Sequence, residues 1–149
     1  MAQRDTELEG LVVELQLLET ALDTLQTRVG LVNASINELQ LANTTVEGLK
    51  TEQKGSTILV PLGGGAYMKA TIEDVERFIV GIGADVAVEK TGTATQEDMG
   101  SRILELERAR NALQQQVEQT ITRMEAVQRQ VRERTQQTAP GTTQNVREA

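Results

Sequence analysis

The sequence contains no cysteine, no histidine and no tryptophan, and only Tyr67 and Phe78 are aromatic. Without cysteine the chain can form neither disulfides nor thiolate metal sites. Without histidine it lacks the commonest metal ligand and the commonest acid–base catalyst. Aromatic side chains bury the largest apolar area per residue, so any core must rely on leucine, isoleucine and valine. We therefore expect a protein that is not an enzyme, has no metal or cofactor, and lacks a conventional globular core.

The chain also lacks a long apolar segment, since no stretch approaches the roughly 20 apolar residues that cross a bilayer. Residues 1–7 are polar and acidic, with no apolar run of the kind found in secretion signals. The formal net charge of −7 disfavours nucleic acid as a partner, because the phosphate backbone is itself anionic. These features predict a cytoplasmic protein that binds neither membranes nor nucleic acid.

Two motifs suggest ligand binding, but neither has the sequence context that a ligand site requires. The glycine run at 63–65 precedes a strand pattern and lacks the Gly-Lys-Ser/Thr that opens a phosphate-binding helix. Glu73, Asp74 and Glu76 lie in a polar connection with no apolar run to desolvate them. We interpret the glycines as a turn and the carboxylates as a solvated linker.

The dominant feature is a heptad repeat near the N-terminus. From Leu8 onwards, ten positions counted in alternate steps of three and four are all apolar, which is the spacing of a left-handed coiled-coil seam. We predict a helix over residues 6–53, with the seam weakening from Asn43 onwards. The seam positions are Leu8, Leu11, Leu15, Leu18, Leu22, Leu25, Val29, Val32, Ile36 and Leu39.

A second heptad repeat predicts a helix of similar length over residues 95–137. The segment 95–98 (TQED) has the composition of an N-cap followed by an acidic first turn. The repeat fades after Arg134, and residues 138–149 are predicted to be a disordered tail. The seam positions are Met99, Ile103, Leu106, Arg110, Leu113, Val117, Thr120, Met124, Val127 and Val131.

The charges of these two arms favour antiparallel pairing within one chain. The first arm begins with six acidic residues against Arg4 alone, and the second ends with four arginines against two glutamates. Folding back places Leu15 roughly opposite Val131. Surface ion pairs contribute little to stability, so the charges mainly select the orientation. Two parallel coiled coils between different chains remain the alternative.

Between the arms, residues 55–92 show the alternating pattern of two tandem β-hairpins. The predicted strands at 56–62 and 66–72 flank the glycine run, and those at 77–82 and 85–90 flank Gly83 and Ala84. Four short strands without a covering layer are marginal in water, so their edges and apolar faces require other chains. We place oligomerisation on Ile58, Val60, Leu62, Met68, Ile72, Phe78, Val80, Val86 and Val88.

The predicted fold class is mostly α with a small β segment: a long antiparallel coiled-coil helical hairpin joined by two tandem β-hairpins. Three segments are distinctive: ILVPLGGG at 58–65 and VGIGADVAVEK at 80–90 in the hairpins, and LVNASINEL at 31–39 in the first arm. In these segments the chain resembles the α-type subunits of archaeal prefoldin. The resemblance spans residues 5–137, and two hairpins instead of one favour the α type over the β type.

The resemblance implies an ATP-independent chaperone built as a heterohexamer of two α-type and four β-type subunits. In such complexes the hairpins form a β-barrel platform, and the arms capture unfolded polypeptides and pass them to a group II chaperonin. It further implies client binding at the arm ends, on Leu8, Leu11, Val12, Leu15, Met124, Val127 and Val131. Packing within the seam would explain the same residues. The alternative function is a structural or tethering coiled coil that recognises one folded partner.

Overall fold

The computed structural model describes residues 2–138. The elements are α1 (Ala2–Lys50), β1 (Thr57–Gly63), β2 (Ala66–Thr71), β3 (Arg77–Gly83), β4 (Val86–Thr91) and α2 (Gly92–Thr138). Of the described residues, 2–30 and 111–138 form one compact unit, the arm-end unit, and Leu31–Arg110 form a second, the hairpin unit. The predicted fold class is confirmed. Of the predicted disordered tail at 138–149, Thr138 is the last residue of α2, and residues 139–149 lie outside the described residues.

The heptad prediction is confirmed by the burial of the seam. All ten seam positions of α1 from Leu8 to Leu39, and all ten of α2, are buried or half-buried. Ile36 is 3% exposed and Val127 is fully buried. Arg110 and Thr120 also follow the pattern, and an arginine can do so because its aliphatic stem packs while its charged end reaches water. Over the part of the chain that the structure describes, no helix is apolar enough to span a membrane.

Helix α1 ends at Lys50, before the predicted boundary at residue 53. Beyond Lys50 the amides of Thr51 and Glu52 donate to the carbonyls of Gly48 and Leu49 at 3.2 and 3.1 Å. These bonds reach back three residues instead of four, so the last turn tightens and the helix cannot continue.

Helix α2 begins at Gly92, and the predicted N-cap at Thr95 is wrong. The amide of Ala94 donates to the hydroxyl of Thr91 at 3.2 Å, which makes Thr91 the capping residue. Thr95 lies inside the first turn, 1% exposed, and its hydroxyl donates to the Thr91 carbonyl at 2.8 Å. The acidic pair that follows Thr95 therefore lies within the helix and does not mark its start.

Antiparallel pairing of the two helices within one chain is confirmed in the arm-end unit. Arg123 Nε donates to Glu14 Oε1 at 2.6 Å, and Arg134 forms an ion pair with Glu7. The expected register, with Leu15 opposite Val131, is wrong. The Glu14–Arg123 pair places Leu15 level with residue 122, and the Glu7–Arg134 pair places it level with residue 126. The difference is therefore between about one and about two and a half helical turns. The charges select a direction, but they are spread too widely along each helix to set the register.

The two hairpins are separate two-stranded antiparallel sheets. Thr57 pairs with Thr71 in the first, and Arg77 occupies the equivalent position opposite Thr91 in the second. Each has a bulge just before its turn. The first turn is Gly64-Gly65, and the second is Ala84-Asp85, with φ values of 49° and 58°. The second turn lies one residue later than predicted because Gly83 (φ 107°) belongs to the bulge.

Asn43 gives a stability prediction for the seam of α1. Its Oδ1 is buried and accepts no hydrogen bond from the described residues, and such an atom costs about 1–3 kcal/mol. Valine packs well at a seam position of this kind. We expect Asn43→Val to raise the free energy of unfolding by about 1–3 kcal/mol in urea titrations. Asn37→Val, at an exposed position, is the control and should change it by less than about 0.5 kcal/mol. Destabilisation by Asn43→Val would contradict this account.

Gly92 gives a second stability prediction, at the start of α2. A Cβ there would lie 3.0 Å from Lys50 Cδ and 3.2 Å from Phe78 Cε2. Overpacking of this kind costs about 1–3 kcal/mol, so we expect Gly92→Val to lower the thermal unfolding temperature. At Gly100 a Cβ would meet nothing within 4 Å, so Gly100→Ala should stabilise by about 1 kcal/mol. Equal shifts in the two variants would refute close packing at Gly92.

Candidate functional site

The first candidate site is formed by the edges of the two hairpins. Each sheet contains only two strands, so within the described residues every strand has one edge without a strand partner. Such an edge presents a row of backbone donors and acceptors that can pair with a strand of another chain. The hairpins are therefore suited to β-sheet pairing between subunits.

The side chains predicted to mediate oligomerisation divide into a packed group and an exposed group. Ile72 and Val80, at 9% and 8% exposure, are buried within this chain. Ile58, Val60, Phe78 and Val88 are half-buried. The exposed members are Leu62 at 62%, Met68 at 53% and Val86 at 50%.

Four further exposed apolar residues on the hairpins were missed by the sequence prediction. Leu59 and Ile79, at 62% and 77% exposure, occupy equivalent positions on β1 and β3, and Tyr67 and Ile82 are 63% and 51% exposed. The signal was present in the sequence. Ile58-Leu59-Val60 and Phe78-Ile79-Val80 are continuous apolar runs, and strands of this kind are usually covered on both faces. The exposed apolar face is therefore a candidate surface for contact with another chain.

A polar cluster joins the end of α1 to the start of α2 within the hairpin unit. Gln96 Nε2 donates to Glu47 Oε2 at 2.6 Å, and Lys50 Nζ lies 3.5 Å from the same oxygen. The hydrogen bond from Gln96 and the charge of Lys50 lower the pKa of the Glu47 carboxyl. The cluster therefore stabilises the fold above the ordinary pKa of a glutamate, and this stabilisation is lost as the pH falls through the lowered value.

The second candidate site is the arm-end unit, where the seven predicted client-contact residues lie. Val127 is fully buried and Val12 is 40% exposed. Leu8, Leu11, Leu15, Met124 and Val131 are half-buried. A cleft of about 380 Å³ lies between the start of α1 and the end of α2. It is lined by Arg4, Asp5, Leu8, Arg134 and Gln137. The seam is thus packed along most of this unit, and Leu8 is its one member on the cleft wall.

Comparison with known proteins identifies the family of this chain. A family model described as "Prefoldin subunit" matches residues 18–137. The prefoldin subunit alpha of Methanopyrus kandleri is 36% identical over 111 residues, which cover 74% of this chain and 71% of that protein. The prefoldin subunit alpha of Methanococcus aeolicus is 31% identical over 130 residues, covering 87% and 88% respectively.

A solved structure shows the same fold. The cryo-EM structure of filamentous PFD from Methanocaldococcus jannaschii has a TM-score of 0.68 at 23% sequence identity, and the match covers 76% of this chain and 93% of that one. The family model spans most of the sequence, and these two relatives are both α subunits. The chain therefore belongs to the prefoldin family, in its α class.

Proposed function

We propose that this chain is a subunit of an ATP-independent holdase that captures unfolded polypeptides in the cytoplasm. The chain belongs to the prefoldin family, and the resemblance to that family implies a chaperone. The observation that carries the proposal is the exposure of large apolar side chains on the hairpins, with Ile79 reaching 77%. Exposed apolar side chains beside unpaired strand edges mark a surface where other chains bind.

The proposed assembly is a heterohexamer of two copies of this chain with four β-type prefoldin subunits. Edge pairing would join the hairpins into a continuous β-platform, which removes the free edges. The exposed face around Leu59 and Ile79 would then be buried together with the predicted Leu62, Met68 and Val86. Removing apolar area from water stabilises by about 25 cal/mol per Å², so several such side chains per subunit supply a substantial driving force.

The proposed client site is at the arm ends. Leu8 already lines an open cleft, and separation of the last turns would add Leu11 and Leu15 from α1, with Met124, Val127 and Val131 from α2. Val12 is already exposed while the two helices are paired. Methionine suits varied partners because its unbranched side chain adapts its shape. Transfer of the client to a group II chaperonin is the final step of the proposal and rests on the family resemblance.

The proposed function is binding and includes no catalytic step. The alternative is a tether that recognises one folded protein, and the two functions predict different client ranges. Mixed with a β-type subunit and without ATP, the chain should suppress aggregation of several unrelated denatured proteins at stoichiometric amounts. Light scattering during dilution from denaturant measures this suppression. Protection of a single protein only, or binding of its native form, would support the tether and overturn the holdase.

A further inference from the structure

Helix α1 carries a second repeat with the spacing of the seam, shifted by two residues. Two residues correspond to a rotation of about 200° around a helix, so this repeat lies on the face opposite the seam. In the arm-end unit every one of its positions is exposed, with Val13 at 54% and Leu17 at 66%. We call it the outer stripe, and its members are Gly10, Val13, Leu17, Thr20, Thr24 and Thr27.

The outer stripe has no charged residue, although the outward positions of a coiled coil are ordinarily charged and solvated. Of the equivalent positions of α2 in the same unit, two are charged, Arg129 and Glu133. Two threonines of the stripe add little polarity, because their hydroxyls are bonded to the backbone of their own helix. The hydroxyls of Thr20 and Thr24 donate to the carbonyls one turn before them at 3.0 and 3.1 Å. Their hydrogen-bonding needs are met by the helix itself.

The residues beside the outer stripe are acidic. Between Arg4 and Arg28 the sequence contains no lysine or arginine, whereas Glu9, Glu14 and Asp23 lie next to the stripe. Glu14 is paired with Arg123, and Glu9 and Asp23 have no ion-pair partner among the described residues. A second copy of this segment would bring like charges together. The charges therefore favour a basic partner.

We propose that the outer stripe is a docking surface for an amphipathic segment of a non-native polypeptide whose apolar residues are flanked by lysine or arginine. The proposal rests on the holdase function and names the client chemistry. A helical segment would lay its apolar side along Val13 and Leu17, with its basic residues near Glu9 and Asp23. The stripe needs no opening of the arms, in contrast to the seam, where Val127 is fully buried.

The test uses the full chain assembled with a β-type subunit and a fluorescent amphipathic peptide of leucine and lysine. The same peptide with glutamate in place of lysine is the charge control. We expect the double variant Val13→Gln with Leu17→Gln to weaken binding of the lysine peptide about tenfold or more in anisotropy titrations. Glutamine is a good helix former, so circular dichroism should be unchanged. Leu41→Gln, on the same helix and 69% exposed, is the matched control and should bind like the unmodified complex.

The glutamate peptide should bind the unmodified complex at least about tenfold more weakly than the lysine peptide, and added salt should reduce the difference. Equal binding of the two peptides, or unchanged binding by the double variant, would overturn the proposed docking surface. The holdase function has a separate readout in the light-scattering assay. If the unmodified complex and the double variant suppress aggregation equally, the proposed docking surface is refuted and the holdase function stands. If the unmodified complex does not suppress aggregation, the holdase function fails.

Discussion

Replacing Leu59 and Ile79 together by lysine is expected to abolish assembly of this chain with a β-type subunit. The two side chains are 62% and 77% exposed in the single chain, and the proposed platform buries both. Burying an unpaired ammonium group costs several kcal/mol, so the association constant should fall by at least about 1,000-fold. Sedimentation velocity of the mixture would then show the separate subunits and no complex.

The control for this experiment is Glu73→Lys, an exposed position in the connection between the hairpins. It makes a charge change of at least the same size on the same segment and should leave assembly intact. The double variant should keep its helical circular dichroism, because neither side chain is buried within its own chain. Normal assembly by the double variant would show that the face around Leu59 and Ile79 is not part of the interface.

Removing residues 1–18 and 124–149 is expected to abolish protection of denatured clients while leaving the complex assembled. The two cuts lie at matched levels of the coiled coil, since Glu14 pairs with Arg123. They remove the cleft and all seven predicted client residues. The hairpin unit, Leu31–Arg110, is untouched. Light scattering of a diluted denatured client should match that of the client alone.

The matched control removes residues 139–149 only, which contain none of the predicted client residues. This shorter variant should protect clients as well as the full chain does. Mass measurement on both variants separates loss of assembly from loss of client binding. Full protection by the longer truncation would show that clients bind nearer the platform and would refute the arm-end site.

The helical part of the fold could be predicted because its signals are local and periodic. A seam that recurs every three and four residues identifies the buried face of each helix, and even Arg110 and Thr120 follow it. The charge asymmetry gave the pairing direction correctly. The register was wrong by between about one and about two and a half turns, because it depends on side-chain packing along the whole interface. The start of α2 was missed because Thr91 and Thr95 are both plausible caps in sequence.

The hairpins show where a single sequence is less informative. Their existence and turns were predicted to within a residue, since glycine-rich turns and alternating strands are strong local signals. The faces were harder to assign, because Ile58, Leu59 and Val60 are all apolar. Only the structure shows that Leu59 is the exposed one of the three at 62%. A surface that is covered by other chains looks like core in the sequence, and separating the two needs the fold of the single chain.

Native mass spectrometry of this chain mixed with a β-type subunit and a denatured client measures assembly and client capture in one experiment. We predict a complex of two copies of this chain with four β-type subunits, and a second peak heavier by the mass of one client. The client peak should form without ATP. A chain that stays monomeric in this mixture, or a hexamer that never gains the mass of a client, would contradict the account.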